Sequence, residues 1–578
     1  MNKTLLYIAT QEDEAKPLGI VLRQGLGLTA RQIKQVKFLP DGLWINEARQ
    51  RDGRLITTRT AVRQGDQIRV QFQEKSETVV PVAGELAIVY EDEDLVVVNK
   101  PAGMVAHPAH GHFTDTLVNR LAARYPEPIR LIGRLDKDTS GLIGAARSSI
   151  AATRMEQQRR EHILSREYLA LVKGRLQGAG RVEQPLTEKR GTLMQMVVDP
   201  EGKPAITEYR VWHCWDSCSL VWLRLQTGRT HQIRVHMAWL GHPLLGDRLY
   251  AGEQEDGLKR AALHSWRIQA RQPFSGERLA IMALPPDDFK SKWEVKLMNE
   301  LKEYMERLTF PPEAVDALLE KTEAAIDVLG QRYMAGELTL TEALEELGSD
   351  YGRHMVFLVS CLPELRRRYA QAGLPEALFW HTMLDLKYKL MECHRVKGQW
   401  GTFVGHWFDW FYKMKRFTLG RLQFEKVIYQ GEIYQRGGVT VRPGDTVVNM
   451  HIPSAGPLTE KLRIDAYQQA YRFFPECRKE GALVLVCHSW LLDPVYQTFL
   501  PEHSNVVSFQ KDFDIVRVEK TDTFKDAWRI FGAEADRPAK ELPRCTSMQR
   551  AFADFLAAGG QTGEGFGIIL WGDQGQLA

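Results

Sequence analysis

GRLDKDTSGL, residues 133–142, is the stretch on which the reading of the chain turns. It sets a carboxylate, Asp136, two residues after Arg134 and just ahead of the turn formers Thr139, Ser140 and Gly141. Around it, from about 86 to 290, short strands, turns and a few helices alternate. Upstream, the apolar run 95–98 has the length of a buried strand. Downstream, 168–174 and the β-former-rich 220–226 read as strands. Residues 230–240 place Ile233, Met237 and Leu240 at helical spacing, with Gly241 as a C-terminal stop. This order lacks regular βαβ alternation, so the expected class is α+β around a largely antiparallel sheet.

The chain is much longer than this region. Its 578 residues imply three to five domains at roughly 100–200 residues each. With 44% hydrophobic and 26% charged residues it reads as a globular protein with real cores, which excludes disorder over most of its length. The longest apolar runs, such as 483–487, fall far short of the ~20 residues of a membrane span. MNKTLLYIATQEDE lacks the pattern of a secretory signal. The seven cysteines are scattered without a CxxC pair, and the CxxxC of Cys214 and Cys218 is a poor zinc pattern. The expected setting is a reducing cytoplasm, with free thiols, no metal and no membrane. Residues 1–300 carry a net charge of +7 and 301–578 of −4. A basic half suits a polyanionic partner, although ordinary surface variation accounts for as much.

Residues 15–75 read as a small unit. Helical stretches at 18–26 and 30–37 precede strand-like pieces that end with Ile68, Val70 and Phe72 in alternation. Arg23, Arg31, Arg51 and Arg54 punctuate it, and 73–84 reads as a linker. After about 297 the character changes. Val315, Leu318, Leu319, Ile326 and Leu329 mark one face of a helix closed by Gly330. More helices are expected to about 395, strands and turns from 400 to 450, and a mixture beyond. Met298-Asn299-Glu300-Leu301 looks like the start of a separate protein, so the main boundary is set at 290–305.

Four further segments accompany GRLDKDTSGL: NKPAGM at 99–104, SREYLALVKG at 165–174, TGRTHQIR at 227–234 and GHPLLGDRLY at 241–250. Together, and in this order, they resemble the RluA/RluD-type RNA pseudouridine synthases over about 86–290. Residues 15–75 resemble the S-four-like RNA-binding module that often precedes such domains. The resemblance implies an RNA partner, ribosomal or transfer RNA, with large-subunit ribosomal RNA favoured by the leading module. It implies no cofactor and no metal for this half.

The implied reaction detaches uracil from ribose at nitrogen and rejoins it through carbon five. A lone carboxylate can attack the sugar, add to the base or remove a neighbouring proton, and the sequence leaves these open. The resemblance assigns that carboxylate to Asp136. It gives Arg229 as the cation that keeps Asp136 charged, since burial alone would protonate it. Tyr168 matches the ring that stacks on uracil, and Ile233 an apolar wall. Arg134 is a candidate to fill the place of a flipped-out base or to grip phosphate. Lys100 is read as a substrate contact through phosphate, with solvated surface as the alternative. Two positions depart from the family's pattern: Gly133 stands where histidine is common, and Arg166 where lysine is usual. His231 and His236 lie off a common helix face and read as packing or RNA-facing residues.

The second half lacks these motifs. VVNMHIPSAGPLT (447–459), VCHSWLLDP (486–494), LPEHSNVVSFQKDFDI (500–515) and LPRCTSMQRAF (542–552) resemble bacterial proteins that join a helical domain to a GNAT-like acyltransferase domain. The implied donor is acetyl-CoA or another acyl-CoA, with no acceptor specified. QTGEGFG at 561–567 is the nearest thing to a pyrophosphate cradle, but it reads as a plain loop before the apolar run 568–571. His451 and His488 are the acid–base candidates.

The resulting division is an S-four-like module at 1–80, a catalytic domain at 85–292, a helical domain at 298–430 and a GNAT-like domain at 431–578. Two rival readings stand beside it. One is an RNA-docking module without catalysis; the other is a pair of neighbouring genes read as one chain. The oligomeric state is not fixed by the sequence.

Overall fold

The computed structural model describes residues 2–73, 79–109, 111–192, 195–252, 257–521 and 523–577. Residues 74–78 of the expected linker lie outside the described residues. The chain divides into two compact units, Met1–Trp293 and Glu294–Ala578, and the division falls within the helix Asp287–Arg307.

In the first unit, the alternation of Ile68, Val70 and Phe72 builds the strand Gln67–Gln73, whose three apolar side chains are wholly buried. It is the middle of a three-stranded sheet between Asn2–Ile8 and Leu43–Ile45. The strand Asn2–Ile8 was not foreseen. Its antiparallel register brings Leu5 opposite Val70, some 65 positions away, and no local pattern announces such pairing. The helices Leu18–Gln24 and Ala30–Lys37 pack Leu18, Val21, Leu22 and Val36 onto this sheet's core. The second helix starts at a capping box in which Thr29 and Gln32 satisfy each other's backbone N–H.

Among the described residues, ten strands form the main sheet of this unit. The path runs Ala179–Val182, Thr207–Cys214, Cys218–Leu225, Ser165–Lys173, Leu263–Arg271, Ser140–Ala146, Leu95–Lys100, Ile88–Glu91. All pairings along it are antiparallel except that between Leu263–Arg271 and Ser140–Ala146. The fold is therefore α+β with a largely antiparallel sheet. Val96, Val98, Ile143, Tyr168, Ala170, Val221 and Leu223 form one face of its core, onto which Ile233 and Met237 of the helix Gln232–Trp239 pack. GRLDKDTSGL spans the turn from Arg130–Ile132 into Ser140–Ala146, at the end of a central strand.

The second unit begins helical. Where one helix ending at Gly330 was expected, there are two, Pro312–Leu319 and Ala324–Met334, and Gly330 lies inside the second. A Cβ at 330 would stand 2.9 Å from Ser360 Oγ and 3.2 Å from Cys361 Sγ. The glycine lets two helices approach and does not end one. From Arg416 onward strands take over. The order is Arg416–Leu419, Leu422–Ile428, Thr446–His451, Ala482–Ser489, Gly563–Gly572, Asp514–Lys520. QTGEGFG is no loop, because its glycines open the central strand Gly563–Gly572. Cβ atoms at Gly565 and Gly567 would meet Leu492 O at 2.3 Å and the Phe513 ring at 2.7 Å. Close approach of neighbours explains these glycines without a ligand.

Thr446–His451 and Ala482–Ser489 are parallel neighbours, paired only at Val448–Leu485 and Asn449–Val486. Beyond those pairs each strand runs on, to His451 and to His488. A cavity of about 360 Å³ is lined by residues from both ends. No helix among the described residues is long and apolar enough to cross a membrane.

Candidate active sites

The loop carrying Asp136 is held from beneath. Lys100 ends the strand Leu95–Lys100 with no solvent exposure. Its ammonium donates to the carbonyls of Pro101 (2.9 Å), Met104 (2.9 Å) and Lys137 (3.1 Å). The Gly103 N–H donates to the same Lys137 carbonyl at 2.9 Å, and the Arg260 guanidinium reaches the Asp138 carbonyl at 3.2 Å. The expected phosphate contact at Lys100 is thus corrected: the ammonium is buried and holds the residue after Asp136, Lys137, while Arg260 holds Asp138. Burial pulls its pKa down to about 8, against the pull of Asp138 and Asp136.

Asp136 itself is half-buried and lines a cavity of about 230 Å³. Arg134, Tyr168, Arg229 and Ile233 line the same cavity. Tyr168 and Ile233 are buried with Leu135 and Met104 in the unit's core. Burial raises the Tyr168 hydroxyl above the usual phenol range, with Arg166 opposing and Asp136 assisting. The tyrosine therefore enters as a neutral ring.

Arg229 does not meet Asp136 as expected. It is exposed, and its Nε donates to the Pro204 carbonyl at 3.1 Å. No ion pair joins it to Asp136 among the described residues. A different cation lies in the field of Asp136: Arg234, in the first turn of Gln232–Trp239. Burial lowers and Asp247 and Asp136 raise the Arg234 pKa, which ends above the usual value. Arg234 forks onto the wholly buried Asp247 through Nε at 2.7 Å and Nη2 at 2.8 Å. Asp247 is the aspartate of GHPLLGDRLY.

The start of that helix is shaped by two hubs. Gln232 accepts from Thr227 Oγ1 (2.9 Å) and Arg229 N–H (3.0 Å), and donates to Ile206 O (2.9 Å). His231 adopts left-handed φ of 54°. Its Nδ1 meets the Tyr250 hydroxyl at 2.9 Å, and that hydroxyl also accepts the Met196 N–H at 3.0 Å. The tyrosine hydroxyl thus ties the histidine to Met196, and burial lowers the His231 pKa. His236 is buried against Thr207 and the Gln184 carbonyl.

In the second unit, both histidines singled out in the sequence line the cavity at the parted strand ends. His451 Nε2 lies 2.8 Å from Glu425 Oε1, and Arg416 Nε donates to Glu425 Oε2 at 2.7 Å. Burial works against ionisation of Glu425, but His451 and Arg416 hold its carboxyl down at about 2. Burial lowers the His451 pKa while Glu425 opposes that shift. A carboxylate fixed on Nε2 selects the tautomer that leaves Nδ1 as a base. His488 stands 3.3 Å from Glu564 and is exposed. Lys389, Trp407 and Trp490 complete much of the wall. Glu425 and Arg416 escaped the sequence reading because they sit on two unremarkable strands whose pairing brings them opposite each other.

Comparison with known proteins follows the same division. Residues 94–239 match the family described as RNA pseudouridylate synthase. Residues 299–414 match the N-acyltransferase N-terminal domain, and 417–569 the GNAT-like C-terminal domain. The chain is 38% identical over 262 residues to the ribosomal large subunit pseudouridine synthase D of Haemophilus influenzae, covering 42% of this chain and 79% of the relative. It is 39% identical over 239 residues to an uncharacterized RNA pseudouridine synthase, YhcT, of Bacillus subtilis, covering 40% and 79%. Among solved structures, an acyltransferase in complex with decanoyl-CoA matches at 23% identity and a TM-score of 0.39, covering 47% of this chain and 87% of that one.

Proposed function

This chain belongs to the RNA pseudouridine synthase family, and from that premise we propose that its first unit isomerises a uridine of ribosomal RNA with Asp136 as the reacting carboxylate. One observation carries the assignment. Asp136, Tyr168, Arg234 and Ile233 line a single cavity, at the end of a central strand of the sheet. In this reading the glycosidic C–N bond breaks, a C–C bond forms at carbon five of the same base, and the proton on that carbon is lost while the freed nitrogen gains one. Asp136 attacks the sugar, adds to the base or removes a neighbouring proton, Arg234 lies within its electrostatic reach, and Tyr168 and Ile233 hold the ring. No cofactor enters. The ribosomal target is favoured by relatives whose names specify the large ribosomal subunit. An S-four-like reading of 1–80 agrees with the exposed Arg23, Arg31, Lys34 and Lys37 on its two helices. The test is a transcriptome-wide pseudouridine map with and without the gene. One or a few sites should vanish, return with the wild-type gene, and stay absent with Asp136→Asn or Asp136→Ala. An unchanged map rejects the proposal.

The second unit supports a separate reading, acyl transfer from an acyl-CoA. In this reading the helical part, expected to run from 298 to 430, ends before the strand Arg416–Leu419, which opens the sheet of the GNAT-like part. The cavity between two parting parallel strands, with an imidazole base oriented by an ionised carboxylate, suits a thioester and a nucleophilic acceptor. When bound, acyl-CoA supplies the activated acyl group. His451 takes the proton of the attacking amine or alcohol, and Glu425 with Arg416 fixes the imidazole's tautomer and orientation. Release of free thiol from acetyl-CoA, with hydroxylamine as a surrogate acceptor, tests this reading. No release above the uncatalysed rate rejects it.

A further inference from the structure

Five arginines line the cavity around Asp136, and the fold treats them differently. Arg159 is neutralised by Glu156 at 2.6 Å and Arg234 by Asp247 at 2.7 Å. Among the described residues, Arg134, Arg166 and Arg229 have no carboxylate within ion-pair distance. Arg134 and Arg229 are exposed, so water carries their charge, whereas Arg166 is half-buried.

The position of Arg166 is built into the backbone. It stands two residues before Tyr168 on the strand Ser165–Lys173, so both side chains leave the same face. Its guanidinium lies against two glycines. A Cβ at Gly133 would be 2.6 Å from Nη1, and a Cβ at Gly228 would be 3.3 Å from Nη2. Gly133 has φ of +86°, a conformation that disfavours side chains in any case. These glycines open the two loops that carry Asp136 and Arg229. The two departures noted in the sequence, glycine at 133 and arginine at 166, are therefore one feature: the bare backbone makes room for the larger cation. Its planar fork, aimed into the cavity without a partner, matches the oxygens of a phosphodiester, which is the anion an RNA substrate brings.

We infer that Arg166 binds a phosphate adjacent to the target uridine and so sets how deeply that nucleotide enters the cavity. The inference rests on the RNA-modifying reading of this unit. Arg166 is a positioning residue in this scheme and takes no part in bond making.

The test measures binding of an unmodified large-subunit ribosomal RNA transcript to the full chain as salt is varied between about 50 and 200 mM. Arg166→Gln should weaken binding about tenfold and reduce the slope of log K against log salt by about 0.7–0.9. Arg166→Lys should restore the slope but only part of the affinity. Gly133→Ala should weaken binding in the wild-type background and add nothing to Arg166→Gln, because both remove the same contact. If Arg166→Gln leaves affinity and slope unchanged, the inference is overturned. It is equally overturned if that variant slows conversion of bound RNA while affinity and slope stay intact, since the guanidinium would then serve the reacting base. Wild-type protein that binds this RNA with the Arg166-dependent slope but forms no pseudouridine rejects the isomerase reading and leaves the phosphate contact standing. Wild-type protein that fails to bind it overturns both.

Discussion

The ammonium of Lys100 sits 3.1 Å from the carbonyl of Lys137, one residue beyond Asp136, in a place no solvent reaches. The strand Leu95–Lys100 thus reaches across to the loop that bears Asp136, the proposed reacting carboxylate. Three carbonyls accept from this one donor group. Lys100→Met should cost about 3 kcal/mol, because it strands buried acceptors and removes charge-assisted bonds. It should also slow isomerisation more than it weakens RNA binding, as the loop loses its seat. Chemical denaturation and single-turnover conversion check the two effects. Unchanged stability would mean that water replaces the ammonium, and the clamp would be refuted.

Arg229 is exposed and bonded to the Pro204 carbonyl, whereas Arg234 lies in the field of Asp136, so the proposed cation for Asp136 is Arg234. Arg234→Ala should reduce the rate of conversion about a hundredfold, the size of losing one preorganised charge beside the reacting groups. Arg229→Ala should act mainly on RNA affinity. Asp247→Ala should fall between, because it leaves Arg234 charged but unoriented, and should destabilise the unit by about 3 kcal/mol. Single-turnover rates at saturating enzyme separate these outcomes. Equal rates for the two arginine variants would remove the distinction.

How far the sequence carried this far depends on the range of each interaction. Ile68, Val70 and Phe72 declare a strand because period two is local, and Ile233 and Met237 declare a helix for the same reason. Asn2–Ile8 declares nothing until its register with Gln67–Gln73 is known. Gly330 and Gly565 have the look of a helix stop and a plain loop, but their function is to let neighbours close in. The site divides in the same way. Asp136 and Tyr168 could be picked out by motif. The choice between Arg229 and Arg234 turns on the left-handed His231 that starts the helix between them, and on a partner, Asp247, thirteen residues on. Lys100 reads as a phosphate contact in the sequence because nothing local says that three carbonyls surround it.

His264 gives the first unit a defined response to acid. It has no exposure; Nδ1 lies 2.9 Å from Ser140 Oγ and Nε2 lies 3.0 Å from the Ala283 carbonyl, so it is built for the neutral ring. Burial pulls its pKa from 6.5 down to about 4. Between those values the unfolded chain binds a proton that the folded chain refuses. The stability is therefore complete above pH 6.5 and is lost as pH falls toward 4, by about 3 kcal/mol in all. Hydrogen exchange in the strand Leu263–Arg271, followed with urea at a series of pH values, should show this loss in wild type and much less of it in His264→Gln. Parallel pH profiles would show that the native ring takes up the proton.

In the second unit, Glu425 should govern both the speed of acyl transfer and its pH dependence. The carboxylate, already ionised near pH 2, raises the pKa of His451 against the burial that lowers it. It also fixes the proton on Nε2 and leaves Nδ1 to accept one. Glu425→Gln keeps the size of the side chain and removes both effects. The turnover of acetyl-CoA with hydroxylamine should fall by about a hundredfold or more, as expected when a general base loses its orienting partner. The acid limb of the pH–rate profile should also move to lower pH, because the imidazole has lost the charge that held its proton. A residue that only supported the fold would lower the amount of active protein and leave the limb in place. His451→Gln should abolish the limb altogether, whereas His488→Gln, at an exposed position beside Glu564, should preserve it. A limb that stays put in Glu425→Gln, or survives in His451→Gln, would move the base elsewhere in the cavity.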